Sequence, residues 1–288
     1  MTFYLNEEQK TIIKSYYQDY AVNDTTGNYD YLFIYNNIHI EVYKDKVIFN
    51  GSKEEIIEEY RNHWKIFDIN ECPIIGNDEF GINNFFGPIV VISCYIGSGN
   101  LEKLRALDIR DYKNLNTQQF TELAQGIMKI IIFESVIINN RKYNQWIDAG
   151  YSPTVIKTWG QNQALVRMLQ HKIQYEKIII EQYVTKDVYY EELESMSANK
   201  NKIIKDKVEF IKNAETKFLA VTCSTIISRY LFLEEIKKIK TVNANNIPLG
   251  AGLEVKEFLT KIKTEKGLEF TKFIERHSKK FFPILQNF

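Results

Sequence analysis

The amino-acid sequence predicts an α/β protein in two parts: a compact α+β unit over residues 1–66 and a larger α/β domain over residues 67–288. Two observations carry this expectation. Before about residue 66, one helical stretch, three short β-like runs and a second helical stretch follow one another closely. After it, strand-like runs alternate with longer helical patterns. A chain of 288 residues, 44% of them hydrophobic, is long enough for one medium domain plus a small one.

The first helix is read from Asn6 to Tyr20, where Ile12, Ile13, Tyr16 and Tyr17 recur at helical spacing until the polar segment Asn23–Asn28. Tyr29–Tyr35, Ile38–Tyr43 and Lys46–Phe49 follow as an antiparallel meander joined through Asn36–Asn37 and Lys44–Asp45. Ser52, with Glu55 three residues on, forms a capping box for a helix over Lys53–Trp64. Phe67–Pro73 reads as a linker. Beyond it, Ile74–Asp78 and Pro88–Ile96 read as strands around a turn rich in Gly and Asn.

The later elements are helices at Thr117–Phe133, Arg141–Ala149 and Pro153–Ile173, and strands at Ser135–Ile138 and Lys177–Tyr183. Glu191–Lys207 is polar enough to be a solvated loop or frayed helix. A long helix is expected from Ala214 to about Lys240. Leu249-Gly250-Ala251-Gly252 then makes a turn before a helix near Glu254–Lys263.

Lys+Arg and Asp+Glu are both 37, so any nucleic-acid contact must rest on local patches rather than on net charge. Lys200–Lys207, Lys237–Lys240 and Lys272–Lys280 are such clusters, although a solvated helix face explains each as well. Cys72, Cys94 and Cys223 are odd in number and far apart, which fits buried free thiols in a reducing compartment better than disulfides or zinc ligands. No leader-like or membrane-spanning apolar run is seen, so a cytoplasmic protein is expected.

The most specific stretch is Ile75-Gly76-Asn77-Asp78-Glu79-Phe80-Gly81-Ile82-Asn83-Asn84-Phe85-Phe86-Gly87-Pro88. An apolar strand delivers two adjacent acids to its end, and a glycine then lets the backbone turn close to a ligand. A second strand, Lys177–Tyr183, brings Glu181 to its end. Glu215 stands just after Asn213 at the expected start of the long helix, where Asn213 would cap and Glu215 would favour the positive end of the dipole.

These motifs, with Asn162-Gln163-Ala164-Leu165 and Ser224-Thr225-Ile226-Ile227-Ser228-Arg229-Tyr230, resemble bacterial ribonuclease HIII over nearly the whole chain. The resemblance implies a ribonuclease-H-like mixed sheet with flanking helices, behind a small domain like half of the TATA-box-binding protein that grips an RNA–DNA hybrid duplex. It implies cleavage of the RNA strand with Mg2+ or Mn2+ held by Asp78, Glu79, Glu181 and Glu215. Gly81, Ile82, Asn83 and Lys113 would meet the substrate, in a monomer without membrane contact. His277, where the family carries a histidine, is either a proton-transfer aid or a surface residue on a basic helix.

Three departures from the family pattern leave a second reading open, a hybrid-binding homologue with weakened or lost catalysis. Glu181 stands for an aspartate, setting its carboxylate about 1.5 Å further from the backbone. Asn83 stands for a glycine and Tyr112 for a small hydroxyl residue.

Overall fold

The structure, a computed structural model, describes residues 2–4, 7–23, 29–44, 46–52, 73–105, 107, 109, 112–196, 202–243, 247–266 and 276. The chain divides into two compact units, Met1–Ile69 and Asn70–Phe288. The helix expected at 53–64, the linker residues 67–72, Cys72 and His277 lie outside the described residues.

In the first unit, β1 (Thr2–Tyr4), β2 (Ala21–Val22), β3 (Tyr31–Tyr35), β4 (Ile38–Val42) and β5 (Lys46–Asn50) form one sheet in the order β1-β5-β4-β3-β2. Every pairing is antiparallel. Helix α1 (Glu7–Tyr17) turns Ile13 and Tyr17, four residues apart and hence on one face, into a core with Phe33, Ile38, Ile40, Val42, Val47 and Phe49. Strand alternation sends Ile34, His39 and Asn50, cross-strand neighbours, to the opposite face, where each is exposed. The expected meander is present. The flanking strands β1 and β2 add to it at its two sides.

The second unit holds β6 (Ile74–Phe80), β7 (Ile89–Ile96), β8 (Ile132–Ile138), β9 (Lys177–Glu181) and β10 (Val208–Ile211), in the order β10-β9-β6-β7-β8. The sheet is mixed: β9 and β10 run parallel to β6, β7 antiparallel to both its neighbours. Its helices are α2 (Ser98–Arg105), α3 (Thr117–Ile130), α4 (Asn140–Asp148), α5 (Pro153–Leu169), α6 (Lys186–Ser195), α7 (Leu219–Asn243) and α8 (Leu253–Lys266). Local signals set several starts. Asn116 and Gln119 form a capping box for α3, and Ser152 caps α5 with Pro153 in its first turn.

Helix α5 covers one face of this sheet. Its Leu165 and Met168 pack with Ile75, Ile178 and Ile180, while Ile156 and Ala164 pack with Ile89, Val91, Val136 and Ile138. Helix α7 covers the other face at backbone contact. A Cβ on Gly76 would lie 2.2 Å from the Ala220 carbonyl carbon, and Ser224 donates to the Gly76 carbonyl at 3.0 Å. The run of small residues in α7 permits that approach. Cys94 on β7 and Cys223 on α7 are free and buried there, and burial pushes both thiols up, that of Cys94 to about 12.

The polar stretch 191–207 begins as the end of α6, which runs to Ser195, and its described residues 202–207 are loop and turn leading into β10. Two expectations are corrected. The long helix begins at Leu219 rather than Ala214, because Ala214–Thr216 forms a separate 3-10 turn. Asn213 makes no capping bond; its φ of 54° places it in the left-handed region, which redirects the chain out of β10. No described helix is long and apolar enough to cross a membrane.

Candidate active site

Strand β6 is buried through Asp78, and its alternation decides where the two acids go. Gly76 meets α7 and Asn77 meets α5, donating to the Gln161 carbonyl at 3.3 Å. Asp78 therefore faces α7, where Thr225 donates its hydroxyl to Oδ2. Glu79 faces α5, where Lys157 Nζ lies 3.0 Å from Oε1. Adjacent acids thus have separate anchors on opposite faces of one strand. Burial, reinforced by the Glu79 charge, pushes the Asp78 carboxyl up to about 7, against the opposing pull of the Thr225 hydrogen bond.

Glu181 ends β9, beside β6. Its oxygens accept the backbone N–H groups of Asn213 at 2.9 Å and Glu215 at 3.2 Å. The longer side chain found here is used in full to reach the turn after β10. Glu215 in that turn accepts from the Tyr112 hydroxyl at 2.8 Å and from Lys113 at 2.6 Å. Burial, then the Glu215 charge, raises the Tyr112 phenol, with a further contribution from Asp78. Tyr112 is buried, whereas the Lys113 side chain is 59% exposed. The bulkier residue that replaces a small hydroxyl therefore holds Glu215 from a buried position.

The turn after β6 is fixed from behind. Gly81 has a φ of +111°, and a Cβ there would lie 2.4 Å from the Pro88 carbonyl, so the left-handed backbone falls on this glycine and not on Asn83. Arg276, 3% exposed, donates from its side chain to the Gly81 carbonyl and from its backbone to Phe85 at 3.0 Å. Gly250 accepts from Phe85 at 2.8 Å and donates to Asn84 at 2.7 Å. The late turn that resembles the family's is thus part of the same structure. Ile82 is half-buried, and Asn83 is exposed at the tip.

Asp78 and Glu79 are neighbours along β6 with side chains on opposite faces, and Glu181 reaches Glu215 through the latter's backbone. Among the described residues, no three His, Cys, Asp or Glu side chains gather at metal-holding distance. The donor set itself suits a hard divalent ion, being carboxylate oxygens alone. Burial first, and the Glu79 charge second, push the Asp78 carboxyl up, and a cation at this position would oppose both. Sequence reasoning missed Lys157, Thr225 and Arg276. For Lys157 a signal existed, since Lys157 and Gln161 recur at helical spacing one residue beyond the apolar series Ile156, Gly160, Ala164.

Residues 75–281 match the family model described as Ribonuclease HII. A protein named Ribonuclease HIII from Geobacillus sp. (strain WCH70) is 32% identical over 229 residues, which cover 75% of this chain and 74% of the relative. Another of that name, from Bacillus cereus (strain AH187), is 29% identical over 76% of this chain and 71% of its own length. In fold, the chain is similar to Bst-RNase HIII solved in complex with Mn2+, with a TM-score of 0.74 and 24% identity over 99% of this chain and 98% of that one. Aquifex aeolicus RNase H3 shares the fold at a TM-score of 0.57 and 19% identity, covering 96% of this chain and 98% of that chain. With the family model spanning the whole sheet and both anchoring helices, the chain belongs to the ribonuclease HII family, among the members named ribonuclease HIII.

Proposed function

We propose that this chain hydrolyses the RNA strand of RNA–DNA hybrids by a two-metal mechanism, with Asp78, Glu79, Glu181 and Glu215 holding Mg2+ or Mn2+. The observation that carries the reading is the buried Asp78–Glu79 pair at the end of β6, where the Asp78 carboxyl is pushed up to about 7 by burial and its neighbour's charge. When bound, the ions supply an activated water and stabilise charge on the leaving 3′-oxygen. The protein's part is to aim the carboxylates. Thr225 holds one oxygen of Asp78 and so fixes the direction of its carboxylate. The N–H groups of Asn213 and Glu215 hold Glu181 at the end of β9.

The turn Gly81-Ile82-Asn83 then offers backbone to the RNA ribose, whose 2′-hydroxyl distinguishes the strand to be cut. Lys113, exposed and paired with Glu215, is free to exchange that carboxylate for a phosphate. The open face of the first unit, with Ile34, His39 and Asn50, takes the shallow groove of the hybrid without reading bases. We place the protein in the cytoplasm as a monomer.

The second reading, a homologue that binds hybrids but cuts them poorly, is favoured by one arrangement. Tyr112 and Lys113 occupy both oxygens of Glu215, and the four acids do not gather. Single-turnover incubation of one end-labelled RNA–DNA duplex with Mg2+, with Mn2+ and with chelator separates the two. Metal-dependent cutting of the RNA strand alone is expected. Tight binding with no cutting under either metal selects the second reading.

A further inference from the structure

We infer that Lys157 is a positioning residue: it is the counter-ion of Glu79, which divalent metal must displace, and so sets how much metal the site requires. The inference rests on the metal-holding role proposed above for Glu79. The ammonium and the carboxylate are both nearly inaccessible, at 8% and 7% of side-chain surface, and 3.0 Å apart. An ion pair this dry is not a solvated surface contact whose worth salt erases; removing either partner leaves a charge out of water.

The geometry keeps Lys157 in place independently of Glu79. Its Nζ lies 3.9 Å from the centroid of the Tyr183 ring. The Tyr183 hydroxyl donates to Thr158 Oγ1, and Thr158 in turn donates to Glu192 on α6. Neighbouring residues of α5 therefore fix both the ammonium and the ring beneath it. Glu79 is held at its second oxygen by the Ile82 N–H at 3.3 Å, which ties its orientation to the turn proposed to meet RNA.

β6 alternation sends Asp78 and Glu79 to opposite faces, and on the α5 face Lys157 pairs with Oε1 of Glu79. A divalent ion held by Glu79 would compete with one fixed positive charge. Removing that charge should tighten metal binding, while the loss of a fixed carboxylate orientation should slow the chemistry. A residue that served only packing would lower the folded fraction and leave the metal affinity of the folded protein unchanged.

The test uses the full-length protein and measures Mn2+ binding directly, by titration calorimetry or by the resonance of free Mn2+, without nucleic acid. For Lys157→Gln, which keeps a neutral donor to Glu79, Mn2+ should bind about tenfold more tightly. Lys157→Arg, which keeps both the charge and a group able to lie on the Tyr183 ring, should bind Mn2+ as the parent does. In single-turnover cleavage, Lys157→Gln should reach half-maximal rate at lower Mn2+ while its maximal rate falls.

Unchanged or weaker Mn2+ affinity in folded Lys157→Gln overturns the inference. If that variant does not fold, Glu79→Gln and the double variant Lys157→Gln/Glu79→Gln decide, since the double variant buries no lone charge. Equal Mn2+ affinities for those two support a role exerted through Glu79, and a difference between them overturns it. Failure of the parent to cut any hybrid would count against the proposed function, and the direct binding arm would still decide the role of Lys157.

Discussion

The two units contain sheets of five described strands each, and the contrast between them shows what a second covering layer does. In the first unit all pairings are antiparallel, Phe33, Ile40 and Phe49 are buried on one face, and Ile34, His39 and Asn50 stay exposed on the other. In the second, β6 and β7 are buried on both faces between α5 and α7. A carboxylate on the open sheet is solvated, as with half-exposed Glu41, which accepts from Asn50 at 2.8 Å. The same group on the covered sheet must find a donor from each layer, and Asp78 and Glu79 do so through Thr225 and Lys157.

The contrast breaks hardest at Gly76. Gly76→Val drives a branched side chain into the Ala220 backbone, 2.2 Å from the Cβ position, and should cost more than about 4 kcal/mol, enough to unfold the second unit. Calorimetry should then show the transition of the first unit preserved while that of the second is lost. A melt like the parent's would mean that the helix–sheet approach is looser than described.

Asp78→Asn keeps the size of the side chain and removes an anionic ligand. The cleavage rate should fall at least about a hundredfold with hybrid affinity and melting temperature near the parent's. Loss of binding in parallel with rate would contradict the separation of grip from chemistry. Removal of residues 1–69 should act in the opposite sense. Hybrid affinity should drop about tenfold, or 1.4 kcal/mol, while cutting at saturating hybrid persists, as a gel-shift and a rate measurement together would show. Binding by the parent should also weaken as salt is raised.

Glu181→Asp sharpens the comparison on a finer scale. The family has aspartate here, so from sequence the shorter residue would restore the usual geometry. In the structure, however, Glu181 spends its extra length on the N–H groups of Asn213 and Glu215. Shortening it by about 1.5 Å should lose one of these bonds and lower the Mg2+-dependent rate about three- to tenfold. A rise in rate would show that those bonds hold the carboxylate away from its ligand. The smallest effect belongs to the open face, where Ile34→Thr should change stability by under about 0.5 kcal/mol in a denaturant titration.

Much of this organisation was legible because long periodic segments state their own burial. The meander, the helices α3, α4, α5, α7 and α8 and the strands β6, β7 and β9 follow from apolar spacing. What escaped notice was short or depended on distant partners. β1 and β2 have three and two residues, too few for alternation to register, and β10 has four, just after a polar stretch, where pairing with β9 defines it. Asp78 and Glu79 were readable as a pair, but their separation onto opposite faces required knowing that β6 stays extended through Phe80. Lys157 in a sequence looks like a solvated helix residue; its burial depends on Tyr183 and Glu79, which lie 26 and 78 positions away.

Cys94 and Cys223 give the interface between β7 and α7 a built-in clock. With both sulfurs fully buried and held as thiols, a reagent in solution reaches them only when the helix lifts from the sheet, so modification should proceed at the rate or the equilibrium of that opening. Mass spectrometry of peptides carrying each cysteine would follow local breathing of the catalytic sheet separately from Cys72. The same measurement repeated with Mn2+ would show how far bound metal fastens the helix down, with no residue of the protein changed beforehand.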